Sequence, residues 1–256
     1  MDTIQTILLG IVEGITEFLP VSSTFHLIWA SRALGIGQTP FQKLFEVAIQ
    51  AGAILAVLGS FATTARQSPV LLKKVIVAFI PTALVGFFLY KIVKDVFLEH
   101  MPLQIAMFIA VGIAFILFER FSRLSYKRSI MTITYREALL VGLAQSLAVI
   151  PGTSRAGAVL LALMACSFTR KDSARFSFLL AVPTIGAASA LDLLKSHDAI
   201  ATSHDAWMLV VGGLVACISA FVVVRWMLSY LEHHTISIFG WYRVIVGVFL
   251  LILMFS

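Results

Sequence analysis

Apolar residues run along this chain in blocks that are too long for strands and that lack the polar face of a helix on a soluble protein. The stretches 75–90, 102–118 and 207–224 are examples, each suited as a helix to a hydrocarbon core ~30 Å thick. Charges and turn formers interrupt the blocks near 31–42, 65–74, 91–101, 119–136, 169–175, 195–205 and 230–240. Between the interruptions the pattern predicts six spanning helices, at 43–64, 74–91, 102–119, 176–194, 207–226 and 240–255. Two segments, 3–31 and 136–168, do not fit it, because polar residues and a proline fall near their middles.

In the first, Glu13, Gly14, Thr16 and Glu17 precede Pro20, and Ser22, Ser23, Thr24 and His26 follow it. In the second, Gln145 and Ser146 precede Pro151, which is followed by Gly152, Thr153, Ser154, Arg155 and Gly157. Proline removes a helical hydrogen bond, and irregular backbone at membrane depth survives only where protein buries it or a cavity borders it. Both segments are therefore expected to be re-entrant helix–loop–helix hairpins. They also resemble each other: Pro20 and Pro151, Ser23 and Ser154, and Phe45 and Phe176 are each 131 positions apart. The expected architecture is all-α and polytopic, one membrane domain over 1–256 built from repeats 1–130 and 131–256. One hairpin plus three spans per repeat gives an odd number of crossings, so the repeats are inverted, and sites in such folds lie at the repeat interface.

Composition agrees with a membrane protein, at 60% hydrophobic and 12% charged residues with a mean hydropathy of +0.99. The net charge of +6 is not a nucleic-acid footprint, since the basic residues are scattered through short loops. Arg32, Lys43, Lys91, Lys94 and Lys195 fall on the side shared by both termini. The larger basic set, from Arg66, Lys73 and Lys74 to Arg225 and Arg243, falls on the other. Basic loops face the cytoplasm, so both termini are expected outside it. No basic stretch precedes the first apolar run, so the amino terminus is expected to belong to the fold. Cys166 and Cys217 read as buried apolar thiols, the phenylalanines as lipid-facing bulk, and the four tryptophans near segment ends as interfacial anchors.

Candidate chemistry concentrates in the two broken segments. Glu13 and Glu17 are four apart and share a helical face, where a cation, a proton or an arginine would have to relieve their repulsion. Carboxylates solvated at a helix end are the simpler alternative. Ser22, Ser23 and Thr24 could only cap a helix, yet hydroxyls and free N–H groups at a helix start also form an anion site. His26 adds a nitrogen that titrates near neutral pH. Gly152 and Gly157 would let backbone approach a ligand, with Thr153, Ser154 and Arg155 as phosphate donors. Arg155 is the only arginine this arrangement buries deeply, and its minimal role is to neutralise the two glutamates. Glu46 and Gln50 either line the same cavity or form an interhelical pair. Carboxylates, hydroxyls, a histidine and an arginine together suit phosphoryl transfer.

These residues resemble the bacterial undecaprenyl-diphosphate phosphatases linked to bacitracin resistance. The likeness is carried by Glu13 to Thr24 with His26, by Pro151 to Arg155 with Gly157, by Phe45, Glu46, Val47, Gln50 and Gly52, and by Phe176 to Pro183. It implies hydrolysis of the lipid diphosphate to the monophosphate and inorganic phosphate, with Mg or Ca, at the outer face of the bacterial cytoplasmic membrane. By motif, Glu13 and Glu17 would hold the metal or move protons, Ser23 or His26 would act as nucleophile or base, and Arg155 would clamp the diphosphate. The implied partners are a polyprenyl diphosphate, membrane lipids and a second copy of the chain, and no nucleic acid. Three positions depart from the family pattern: Phe25 replaces a glycine before the histidine, Ala156 a serine after the arginine, and Arg175 an acidic residue. Two other readings compete: a polyprenyl-phosphate flippase, and a lipid-binding homologue inactivated by Phe25 and Ala156.

Overall fold

A computed structural model describes residues 1–92 and 100–255, with ten α-helices and no strand among them. Six are long: α3 (Pro40–Gln67), α4 (Pro69–Ile92), α5 (Met101–Phe121), α8 (Arg170–Ser196), α9 (Ser203–His233) and α10 (Ser237–Phe255). Each contains a stretch long and apolar enough to cross a membrane. Large apolar side chains such as Leu58, Ile76, Phe88, Ile218 and Ile245 project from them unburied, an arrangement stable only in lipid. The chain is a multi-pass membrane protein.

The helices coincide with the six predicted spans and extend past most of their ends, because charged residues read as breaks cap helices instead. The Thr169 hydroxyl opens α8 by accepting from the Asp172 N–H, and Thr202 and Asp205 open α9 with a capping box. The predicted interruption at 91–101, with Lys94, falls largely outside the described residues.

Each broken segment becomes two short helices: α1 (Thr3–Thr16) and α2 (Ser23–Ala33), then α6 (Tyr135–Ser146) and α7 (Arg155–Ala165). Corresponding helices start 132 residues apart, at 3 and 135 and at 23 and 155. The prolines are 131 apart because the second loop has one more residue between proline and helix. Ser22 therefore corresponds to Ser154, at φ 67° and 73°, and Ser23 corresponds to Arg155. By helix starts, Ser23 thus aligns with Arg155 rather than with the Ser154 reached from the prolines.

Around these pairs, α9 packs along α1 and α3, α8 along α3, α4 along α6, and α5 along α10. Small residues set the closest crossings: a Cβ on Gly14 would stand 2.8 Å from the Ala220 backbone nitrogen of α9. The phenylalanines are not mainly lipid-facing bulk. Phe18, Phe45, Phe108, Phe115, Phe176 and Phe178 are fully buried, since ring stacking between helices supplies packing that aliphatic contacts with lipid do not reward.

Candidate active site

α1 carries Glu13 and Glu17 on the face that also bears Gly10 and Gly14, and the helix ends at Glu17 with its backbone still helical. After the turn at Pro20, α2 begins with Ser23, whose hydroxyl donates a short hydrogen bond to Glu17 Oε2. On the other unit α7 begins with Arg155. Its guanidinium donates to Glu17 Oε1 at 3.0 Å and to the Ser177 carbonyl at 2.9 Å, with both charged side chains almost buried. The two helix starts thus meet at one carboxylate. Arg155 Nε is buried with no partner among the described residues, so part of its donor fork is uncommitted.

A cavity of about 460 Å³ opens beside this pair. Glu17, Ser22, Ser23, Thr24, Gly152, Ser154 and Arg155 line it, with Gln50 and Lys43 of α3 and Asp192 of α8. Phe79, Ala83, Gly86 and Phe87 of α4 and Ala187, Ala188 and Leu191 of α8 give it an apolar wall, interrupted by Thr82, Gln145 and Thr184. The polar residues suit a phosphorylated group and the apolar wall a hydrocarbon chain.

Glu13 does not line the cavity. It lies behind Glu17, fully buried, and neither carboxylate oxygen has a hydrogen-bond partner among the described residues. Its charged neighbours are Glu17, Arg155 and Glu46. No cluster of three or more metal-binding side chains occurs among the described residues, so an all-protein cage is not built here. Two adjacent carboxylates, Glu13 and Glu17, are of a chemistry that would fit a hard divalent cation.

Several candidate residues stand elsewhere. His26 turns away from the cavity: its Nδ1 is 2.8 Å from the Ser22 carbonyl, and its Nε2 is 2.7 Å from the Tyr242 hydroxyl of α10. Nδ1 therefore carries the proton and Nε2 accepts from Tyr242. Glu46 accepts from Ser31 at 2.7 Å and Gln42 at 2.9 Å, which makes it the tie between α2 and α3 rather than a cavity wall. Thr153 and Gly157 do not reach the cavity. Gly157 gives room to the Phe115 ring, and Gly152, at φ 92°, packs one face on the Gln104 carbonyl, so both accommodate α5 more than a ligand. Phe25 and Ala156 are buried and outside the cavity. Phe25 stacks on Phe108 with centroids 4.1 Å apart, and Arg175 pairs with Asp172 at 3.1 Å in a separate hollow beyond the site.

Other polar residues were overlooked. Gln145 is fully buried at the cavity wall and donates to the Thr82 hydroxyl at 2.8 Å and to Thr184 at 3.2 Å. It corresponds to Glu13 at the 132-residue spacing, a match the 131-residue pairing hid. Thr82 and Thr184 each follow a proline inside a span, a visible signal in Pro81-Thr82 and Pro183-Thr184. Arg155 is not the only deeply buried arginine. Arg243, expected near a basic loop, is fully buried because its side chain runs from α10 into the loop tips, where carbonyl oxygens receive it.

A family model described as bacitracin resistance protein BacA matches residues 6–249. An undecaprenyl-diphosphatase of Aquifex aeolicus is 40% identical over 245 residues, 95% of either chain. One from a Sulfurihydrogenibium species is 43% identical over 250 residues, covering 97% of this chain and 98% of its own. One from Campylobacter fetus is 41% identical over 258 residues, covering 98% and 99%. Relatedness of this extent, spanning both loops and all six long helices, means that the chain belongs to the BacA bacitracin resistance family.

Proposed function

We propose that this protein hydrolyses undecaprenyl diphosphate to undecaprenyl phosphate and inorganic phosphate, returning the lipid carrier to cell-wall synthesis. The observation that carries the reading is the Glu17–Arg155 pair in the wall of a cavity that is otherwise largely apolar. The names of the relatives support it independently. The polyprenyl chain lies between α4 and α8, and the diphosphate meets the starts of α2 and α7, where the helix dipoles favour an anion.

In this mechanism Ser23 Oγ attacks the terminal phosphorus. Glu17 Oε2 takes the hydroxyl proton as the O–P bond forms and the bond to the bridging oxygen breaks, releasing undecaprenyl phosphate. Water then hydrolyses the phosphoserine to inorganic phosphate. Arg155 holds the transferred group and offsets its charge through donors not spent on Glu17 and Ser177. Glu13 and Glu17 would hold a divalent cation, Mg or Ca, which when bound would neutralise charge on the phosphoryl oxygens. The choice of Ser23 over His26 is supported by the contact of Ser23 with Glu17 and by the engagement of both His26 nitrogens.

Both helix pairs are proposed to re-enter the membrane as hairpins of an inverted repeat. The asymmetry of basic residues supports both termini and the cavity mouth outside the cytoplasm, in a bacterial cytoplasmic membrane. The test is phosphate release from undecaprenyl diphosphate by purified protein with Mg or Ca, with Glu17→Gln, Ser23→Ala and Arg155→Ala beside it. Acid quenching should trap a phosphoserine that Ser23→Ala lacks. Equal release by all four proteins would refute the site. Lipid movement in liposomes without release would favour a transporter instead.

A further inference from the structure

Arg243 is the largest fully buried side chain of the described residues, and the proposed reaction does not use it. Its hydrogen-bond partners are backbone carbonyls. Nε donates to Phe108 of α5 at 2.9 Å, and Nη1 to Pro20 at 3.1 Å. Nη2 makes a short bond to Gly152 and a longer one, 3.4 Å, to Thr153. The Phe108 ring lies 4.5 Å from the guanidinium carbon. Pro20 and Gly152 are counterparts at the same 132-residue spacing that relates the starts of α2 and α7. One planar fork therefore takes the equivalent carbonyl from each unit.

A buried guanidinium is costly, and an apolar residue of similar size often serves stability better. What an apolar residue would not do is hold two loop tips whose carbonyl oxygens would otherwise repel. Nor would lysine do it, because its ammonium is a point charge without a fixed fork. Peptide planarity extends the effect to the cavity: with the Thr153 carbonyl drawn toward Arg243, the Ser154 N–H points the opposite way, and Ser154 lines the cavity.

We propose that Arg243 is a positioning residue, a pin that joins the two loop tips from behind so that Ser23 and Arg155 face a single phosphoryl group. This rests on the phosphatase reading above. The lipid chain dominates binding while the pin acts on the reacting end, so the effect belongs in kcat rather than KM.

The experiment compares purified full-length protein with Arg243→Lys and Arg243→Gln, measuring phosphate release from undecaprenyl diphosphate and thermal melting in detergent. Arg170→Gln, which breaks the 2.6 Å Arg170–Glu119 ion pair at the far end of α5, controls for destabilisation alone. A misplacement of about 1 Å lowers the rate about 100-fold, so Arg243→Lys should lose that much in kcat, and Arg243→Gln more, with KM held within about threefold. Arg170→Gln should melt lower yet keep its kcat. Overturning results are a kcat for Arg243→Lys within about threefold of the unchanged protein, an equal loss in Arg170→Gln, or failure to recover either Arg243 variant folded, which would make Arg243 a residue of the fold alone. Absence of phosphate release from the unchanged protein would overturn the reaction itself, a distinct outcome.

Discussion

α1 and α6 both open on a capping box, Asp2 with Gln5 and Thr134 with Glu137, and α2 and α7 both follow a serine at positive φ. Within that shared backbone the equivalent side chains differ: Glu13 against Gln145, Glu17 against Val149, Ser23 against Arg155. Where one unit is acidic the other is neutral, and where the second is basic the first carries a hydroxyl. Two identical units would set carboxylate against carboxylate or arginine against arginine, whereas these meet as the ion pair Glu17–Arg155. The backbone builds two helix starts, and the difference between them supplies the chemistry.

The comparison breaks hardest at the pair itself. Arg155→Ala leaves a buried carboxylate without its cation, with an expected loss of about 3–5 kcal/mol in stability, read by denaturation in detergent. Phosphate release should fall about 100- to 1,000-fold. Making the units alike at the next position has a smaller effect of opposite sign on stability. Glu13→Gln removes a buried carboxylate without hydrogen bonds, so melting in chelator should rise by the equivalent of about 1–3 kcal/mol. The same variant should lose any stabilisation by added Mg or Ca.

The capping boxes offer a difference in pH response. Glu137 of the second unit is held at about 2 by hydrogen bonding to Arg128, then by its cap to Thr134, whereas Gln5 does not titrate. A lowered folded pKa means that Glu137 stabilises fully above its unfolded value and less as pH falls toward 2. Glu137→Gln should therefore flatten acid destabilisation between about pH 4.5 and 2, while changes at Gln5 leave that slope intact. The smallest effect lies at the two serines. Ser22 makes no side-chain cap and Ser154 accepts from the Gly157 N–H at 3.2 Å. Ser22→Gly should gain about 1 kcal/mol by relieving the positive φ. Ser154→Gly should be near neutral, since losing the cap costs about as much. Equal shifts in melting would show that the units are not distinguished there.

Most of the helices were legible because lipid imposes a simple code. Every apolar run must bury its backbone groups within itself, so length and composition identify α3, α4, α5, α8, α9 and α10; proline with a run of hydroxyls and nearby charges marks the two exceptions, whereas Pro81-Thr82 and Pro183-Thr184 lie inside unbroken helices. Helix ends were less legible, since Thr169 and Asp205 cap helices from positions that look like loops. Within the site, Glu17, Ser23 and Arg155 stood out as polar residues in apolar surroundings. The direction of His26 did not, because it depends on Tyr242, 216 residues away in sequence.

The sequence by itself determined the solvent, the number of long helices and the two places where a helix breaks, for these follow from local hydropathy and from proline set among several polar residues. Only the tertiary structure decided the rest. It brought residue 155 to residue 17, turned Glu46 into a tie between α2 and α3, set Phe25 against Phe108, and drove Arg243 into the loop tips. The physical reason is that a buried charge is tolerated only where partners converge on it, and those partners come from helices far apart in the chain.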